Sequence, residues 1–369
     1  MGGPQLSPVI DCAVRVEWAS QDELIGHLEP GWREYIGRPG TMKGGVGGKN
    51  ISLSLAYHHP DGDYVAGGLE TCAEPRRLAA ALAKEISTAV LLPGRGMLIP
   101  ADNNSVLTVQ LCRAVNDWLA DRWLSADSRF RGSVLVPNQL PNEAAAELRR
   151  CAGDPRFVQV LMVGNGLGKP FGHPVYHPIY EAAAEAGLPI AIHLGGDAVP
   201  DTLTHPTAGG LPATYTEYRV IGAQALMTHV VSLIGQGVFE RFPALRVVVV
   251  GGGVTWIPPL IWRMDVNFNA FGREAPWLTK KPSEYFREHF LVAAQPLERP
   301  LSDGGRLRRL LASFRDMNRV LCFASAYPEQ EMETPERVAA AMPPEWIRSV
   351  LFDNAASAYG PRVLAAVTT

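Results

Sequence analysis

The chain has no long apolar run: nowhere in its 369 residues do the ~20 consecutive apolar residues of a membrane-spanning helix occur. The stretch Met1–Pro4 lacks the charged and apolar regions of a secretory leader, and Gly2, followed by Gly3 and Pro4, does not open a myristoylation signal. Basic charge is not in excess, since 34 Lys and Arg stand against 37 Asp and Glu and no basic stripe forms. Nucleic acid and anionic membrane surfaces are therefore poorly matched as partners. Cysteine is sparse: Cys12, Cys72, Cys112, Cys151 and Cys322 form no Cys-x-x-Cys pair. That argues against a disulfide framework or a thiolate zinc site and for reduced, mostly buried thiols of a cytoplasmic protein. Of the five, Cys12 is the one to examine as a nucleophile. Also absent are a Ser-His-Asp order, a nucleophile elbow, a Walker loop and a dinucleotide fingerprint. The run Gly44–Gly48 is glycine-rich, but without a strand before it and a helix after it reads as a flexible lid.

What is present is a core. With 47% hydrophobic and 19% charged residues, the chain suits one large domain spanning residues 1–369. Short apolar runs alternate with segments of helical period, the βαβα pattern of a parallel sheet. Strands are expected at Pro8–Val14, Ala89–Leu92, Gly132–Pro137, Val158–Val163, Leu188–His193, Leu245–Val250 and Arg319–Ala324, with an eighth hidden. Helices are expected at Val106–Ala120, Asn142–Cys151, Pro178–Ala186 and Tyr218–Ile234. The fold class is α/β, a distorted (β/α)8 TIM barrel. Residues 17–75, rich in Gly, Pro, Trp and Tyr, read as an insertion after the first strand that lies over the barrel mouth. A second irregular stretch, 195–216, follows the strand ending at His193. Loops leaving the C-terminal strand ends build the active site of such barrels, which places Asp197, His205, Tyr215 and Glu217 near the mouth.

Several stretches carry a resemblance: Arg113-Ala-Val-Asn-Asp-Trp118, Pro189-Ile-Ala-Ile-His193, Gly237-Val-Phe-Glu-Arg-Phe-Pro243, Trp256-Ile-Pro-Pro-Leu-Ile-Trp-Arg-Met-Asp265, Gln295-Pro296 and Asp353-Asn-Ala-Ala356. In order along nearly the whole chain, they resemble the amidohydrolase-related family that includes aminocarboxymuconate-semialdehyde decarboxylase. The resemblance implies a divalent metal at the strand ends, held by imidazoles and carboxylates, that makes hydroxide from bound water. This chain departs from that pattern. Where the family's first strand carries its Asp-x-His or His-x-His pair, Ala13 and Arg15 stand here; Ala has no donor atom and guanidinium no lone pair. A Gly251–Gly253 turn replaces the Glu or His that follows the sixth strand. The family's Asp-Tyr-Pro-His becomes Ala326-Tyr-Pro-Glu329. Only His193 stands at a matching ligand position.

The expectation is thus a degenerate metal centre with no metal and no cofactor. The barrel then serves either as a metal-independent enzyme on a small anionic substrate or as a non-catalytic partner subunit, a pseudoenzyme. The alternative is a metal-dependent hydrolase or decarboxylase with substitute ligands from Asp11, Glu17, Asp197, His205 or Glu329. In the enzyme reading His193, Arg15 and Glu329 are catalytic, and Arg15, Asp197, His205 and Tyr215 bind substrate. A buried Arg15 needs a partner: Glu329, Glu17, Asp197 or a substrate carboxylate. His229, the pair His173 and His177 around Pro174, and His58-His59 read as structural or surface residues. Partners are expected to be a small anion and a second subunit, as a homodimer or a hetero-oligomer with a related protein. The apolar segment Trp256–Trp277 exceeds what one barrel needs.

Overall fold

The structure, a computed structural model, describes residue 6 and residues 8–37, 65–102, 104–164, 168–194, 214–298 and 304–364. Eight strands follow in chain order: β1 Val9–Val16, β2 Ile86–Pro93, β3 Phe130–Leu135, β4 Phe157–Val163, β5 Ile190–His193, β6 Val247–Val250, β7 Phe290–Ala293 and β8 Leu321–Cys322. Each pairs in parallel with the next, in the order β1 to β8. Parallel strands covered by helices are buried on both faces, which is why they read as continuous apolar runs rather than alternating ones. β6, four consecutive valines all buried, is the clearest case.

The helices form the outer layer. Ser105–Trp118 buries Leu107, Leu111, Ala114, Val115 and Trp118 at helical spacing, and the Asn104 side chain caps it by accepting from the Leu107 N–H at 3.1 Å. The early part of the insertion joins this layer, where Trp18 packs edge-on against Trp118 with ring centroids 5.8 Å apart. On its return, Val65 donates to the Pro328 carbonyl at 2.9 Å, tying the insertion to the segment after β8. Residues 38–64 of the insertion, with Gly44–Gly48 and His58-His59, lie outside the described residues.

Closure between β8 and β1 is irregular. One isolated parallel bridge joins Val14 to Tyr327, and the backbone bonds Cys12 N to Phe323 O (3.0 Å), Ala326 N to Ala13 O (2.9 Å) and Arg15 N to Tyr327 O (2.8 Å) complete the seam. β1 shifts register between Asp11 and Val14. The buried Asp11 carboxylate fills that irregularity, its Oδ1 accepting from the N–H groups of Ser325 (2.9 Å) and Ala13 (3.2 Å).

The hidden eighth strand is β7, four residues long and continuous with the helix Pro282–His289, so no turn signal separates the two. β8 is shorter than expected, because Arg319 and Val320 belong to the helical turn Met317–Val320 and Phe323 turns into the seam. The helix expected at Tyr218–Ile234 is two helices, Tyr215–Ile221 and Ala223–Gly235, meeting at Gly222. Among the described residues, no helix is long and apolar enough to cross a membrane.

Candidate active site

His193 closes β5, in register with Val163 on β4 and Val250 on β6. Its ring is buried at 8% exposure, and Nδ1 meets the Leu194 carbonyl. A carbonyl only accepts, so Nδ1 carries the hydrogen and Nε2 keeps its lone pair. That nitrogen faces the turn after β6, since a Cβ built on Gly251 would stand 3.2 Å from it. Gly251 holds φ +80° and Gly253 φ +68°, left-handed conformations in which a side chain is strained. A Cβ on Gly253 would also strike the Glu298 carboxylate at 2.0 Å, which accepts from Val254 N at 2.9 Å to brace the turn. Burial, with the charge of Arg15 and more weakly of Arg219, pulls the His193 pKa down to about 3 against the Leu194 bond. The imidazole is neutral at physiological pH.

Arg15 leaves β1 beyond the register shift and forms an ion pair with Glu329. Glu329 is brought inward by the turn after β8, in which its N–H donates to the Ala326 carbonyl at 2.9 Å. Ala326 takes φ +52° there, a conformation that disfavours a β-carbon. Arg219, in the last turn of Tyr215–Ile221, lies 3.8 Å from the second Glu329 oxygen and pairs with Glu331. The result is an alternating chain of charges, Arg15, Glu329, Arg219, Glu331, across one side of the mouth. Beside it lies a cleft of about 520 Å³ bounded by Leu194, Arg219, Gly251, Leu297 and Glu331.

Of the residues singled out in the sequence, the structure gathers Arg15, Glu329 and His193. Asp197 and His205 lie outside the described residues, and Tyr215 begins its helix with its side chain outside them. The Glu17 carboxylate accepts from the Arg95 N–H and Nε, both at 3.0 Å. His229 is a packing residue, stacked on Phe171 with centroids 4.0 Å apart and accepting the Phe171 N–H on Nδ1. His173 caps the turn Pro174–Tyr176, and His177 packs edge-on against Phe242. Cys12 is no nucleophile: its hydrogen bond with Cys322 and complete burial hold the thiol well above its usual pKa. Arg219 was missed, because it sits on what reads as an ordinary covering helix. Asp11, weighed in the sequence as a substitute metal ligand, instead braces the seam through the Ser325 and Ala13 N–H groups.

A parallel eight-stranded barrel that gathers its polar side chains at the C-terminal strand ends defines a TIM-barrel protein. Residues 81–360 match the amidohydrolase family, and the chain belongs to it. It is 27% identical over 211 residues to the gamma-resorcylate decarboxylase of Polaromonas sp. (strain JS666), a match covering 53% of this chain and 60% of that relative. The chain thus aligns with little more than half the length of that curated relative. In fold it resembles an amidohydrolase of Mycobacterium avium subsp. paratuberculosis K-10 (TM-score 0.69, 19% identity, 96% and 98% of the two chains). It also resembles a dihydroxybenzoic acid decarboxylase of Polaromonas sp. JS666 with bound manganese and the inhibitor 2-nitroresorcinol (TM-score 0.65, 17% identity, 96% and 97%).

The described residues do not fit a divalent metal. His193 offers one correctly oriented imidazole, but Ala13, Gly251 and Ala326 offer no side-chain donor, and Glu329 is engaged by two guanidiniums. No group of three or more His, Cys, Asp or Glu able to hold an ion occurs among the described residues. Three protein ligands are the usual minimum.

Proposed function

We propose that this chain is a decarboxylase-type carbon–carbon lyase acting on a small carboxylate, of the hydroxylated aromatic kind that its relatives' names describe. The observation that carries the reading is a buried neutral imidazole with an open Nε2, flanked by two guanidiniums, at the mouth of a barrel related to decarboxylases. The same kinship supports a catalyst over the non-catalytic partner subunit, and a metal-dependent reaction over a metal-free one. A metal here needs ligands besides His193, and Asp197 and His205, which follow β5, are the positions to test first.

Arg15 and Arg219 draw a carboxylate toward the mouth. Once an anion sits beside them, their repulsion of an imidazolium is offset, so His193 becomes a better base in the complex than in the free protein. Nε2 then accepts the proton of a ring hydroxyl, which pushes electron density onto the ring. The bond from ring carbon to carboxyl carbon breaks with release of carbon dioxide, and the ring carbon takes the proton held on Nε2, which restores the neutral imidazole and leaves the product as its phenolate. Incubation with gamma-resorcylate and a panel of hydroxybenzoates, with metal content measured on the same sample, tests this. The expected result is carbon dioxide release that His193→Ala abolishes while circular dichroism stays unchanged. Absence of turnover across the panel, with manganese or zinc supplied, overturns it.

A further inference from the structure

At the opposite end of the barrel a second cleft, of about 560 Å³, opens beneath the N-terminal ends of β6, β7 and β8. Three successive entries into strands bring cations to it: Arg246 immediately before β6, Arg287 on the helix before β7, and Arg319 on the turn before β8. His289 and Asn354 complete its polar wall, and Glu288 is the one carboxylate in its lining. We propose that this cleft binds a small multivalent oxyanion, a phosphorylated or polycarboxylate molecule.

The argument is electrostatic. Glu288 is taken up by Lys280, 2.5 Å away. In the smaller adjoining hollow, Asp316 lies between Arg287 at 3.9 Å and Arg315 at 3.5 Å, and Glu284 accepts the Lys281 N–H at 2.9 Å. Among the described residues, Arg246 and Arg319 make no ion pair and no side-chain hydrogen bond. Three guanidiniums gathered on one concavity repel one another, and two of them find no acid. The chain as a whole is slightly acidic at −3, so the cluster is not a by-product of a basic surface. The neighbours feel the field: burial, and after it the Leu245 bond and the Arg246 charge, set the His289 ring, with burial and Arg246 both lowering its pKa. His289 donates from Nδ1 to the Leu245 carbonyl at 2.9 Å, which leaves Nε2 unprotonated in the neutral ring. Polar residues at this end of a barrel ordinarily serve stability. Unpaired like charges do the reverse, and an oxyanion with two or more charges removes the conflict through forked guanidinium contacts. The volume falls within the range of small-molecule sites.

Calorimetric titration of the full chain at constant ionic strength, with pyrophosphate in one arm and citrate in the other, decides the matter. Saturable binding of at least one probe is expected. The double variant Arg246→Gln/Arg319→Gln weakens it about tenfold or more, each single variant weakens it less, and Arg219→Gln at the mouth leaves it unchanged. Both arginines are exposed, and circular dichroism checks that the double variant is folded. Preference for pyrophosphate assigns the phosphoryl source, and preference for citrate the carboxylate source. Failure of both probes to saturate, binding unaltered in the double variant, or binding lost in Arg219→Gln overturns the proposal.

Discussion

Glu329 shows how one carboxylate organises the mouth. It is buried, and two arginines from opposite sides of the barrel depend on it, so removing it leaves guanidinium charge with diminished compensation. Glu329→Ala is expected to destabilise the fold by about 3 kcal/mol, read as a lowered urea midpoint, because breaking a buried pair costs more than the pair itself contributes. The buried histidines give a pH signature. His193 and His229 both have pKa values pulled down to about 3, His229 by burial. The unfolded chain takes these protons near pH 6.5, so the stability tied to neutral imidazole is complete above that pH and is lost as pH falls toward 3. Asp11, raised by burial to about 6, has the opposite sign: its contribution is full below the ordinary carboxylate pKa of 3.8 and is lost as pH rises through 6. His229→Asn keeps an acceptor for the Phe171 N–H and removes the titrating ring. Its urea midpoint should therefore fall less between pH 7.5 and pH 4.5 than that of the unaltered chain, and an equal fall contradicts the assignment.

Turns and close approaches dominate at the scale of elements. Gly172 meets the helix Ala223–Gly235 so closely that a Cβ would lie 2.0 Å from the Ser232 carbonyl oxygen, and its N–H donates to Ser232 Oγ at 3.1 Å. Gly172→Ala must push that helix outward and should cost about 1–3 kcal/mol in thermal or urea denaturation. Gly251→Ala is a different probe, since the methyl would crowd His193 Nε2 and force a left-handed residue. It should depress carbon dioxide release more than stability, with the loss falling on kcat. Seven of the eight strands were legible as apolar runs, because burial on both faces keeps polar positions few. β7 was not, being too short and fused to its helix. Arg15 was legible as a residue of interest, yet the inward fold of Glu329 was not, because it depends on a left-handed Ala326 and on backbone bonds to β1 that no local pattern encodes.

For the molecule as a whole, both the separation of its two ends and its outer surface bear on function. Trp262 and Val266, one helical turn apart on Ile257–Phe271, are 44% and 66% exposed. The sequence had suggested self-association from this same segment, and a second copy is the expected cover. Light scattering should give at least twice the 40.0 kDa of one chain, and Trp262→Glu with Val266→Glu should shift the species toward the monomer. A monomer in the unaltered protein rules this face out.

The order of the sequence motifs, the alternation of apolar runs with amphipathic segments, and the identities of Ala13, Arg15 and Ala326 are properties of the chain itself. They made the barrel legible, because periodicity and side-chain chemistry are local. Which charges meet was decided only in three dimensions. Arg15 and Glu329 are joined across the seam that closes the barrel, Arg219 reaches them from a helix more than a hundred residues earlier in the chain than Glu329, and Arg246, Arg287 and Arg319 converge from three separate strand entries. Electrostatic energy depends on distance in space, and closing a cylinder brings together residues whose separation along the chain carries no record of it.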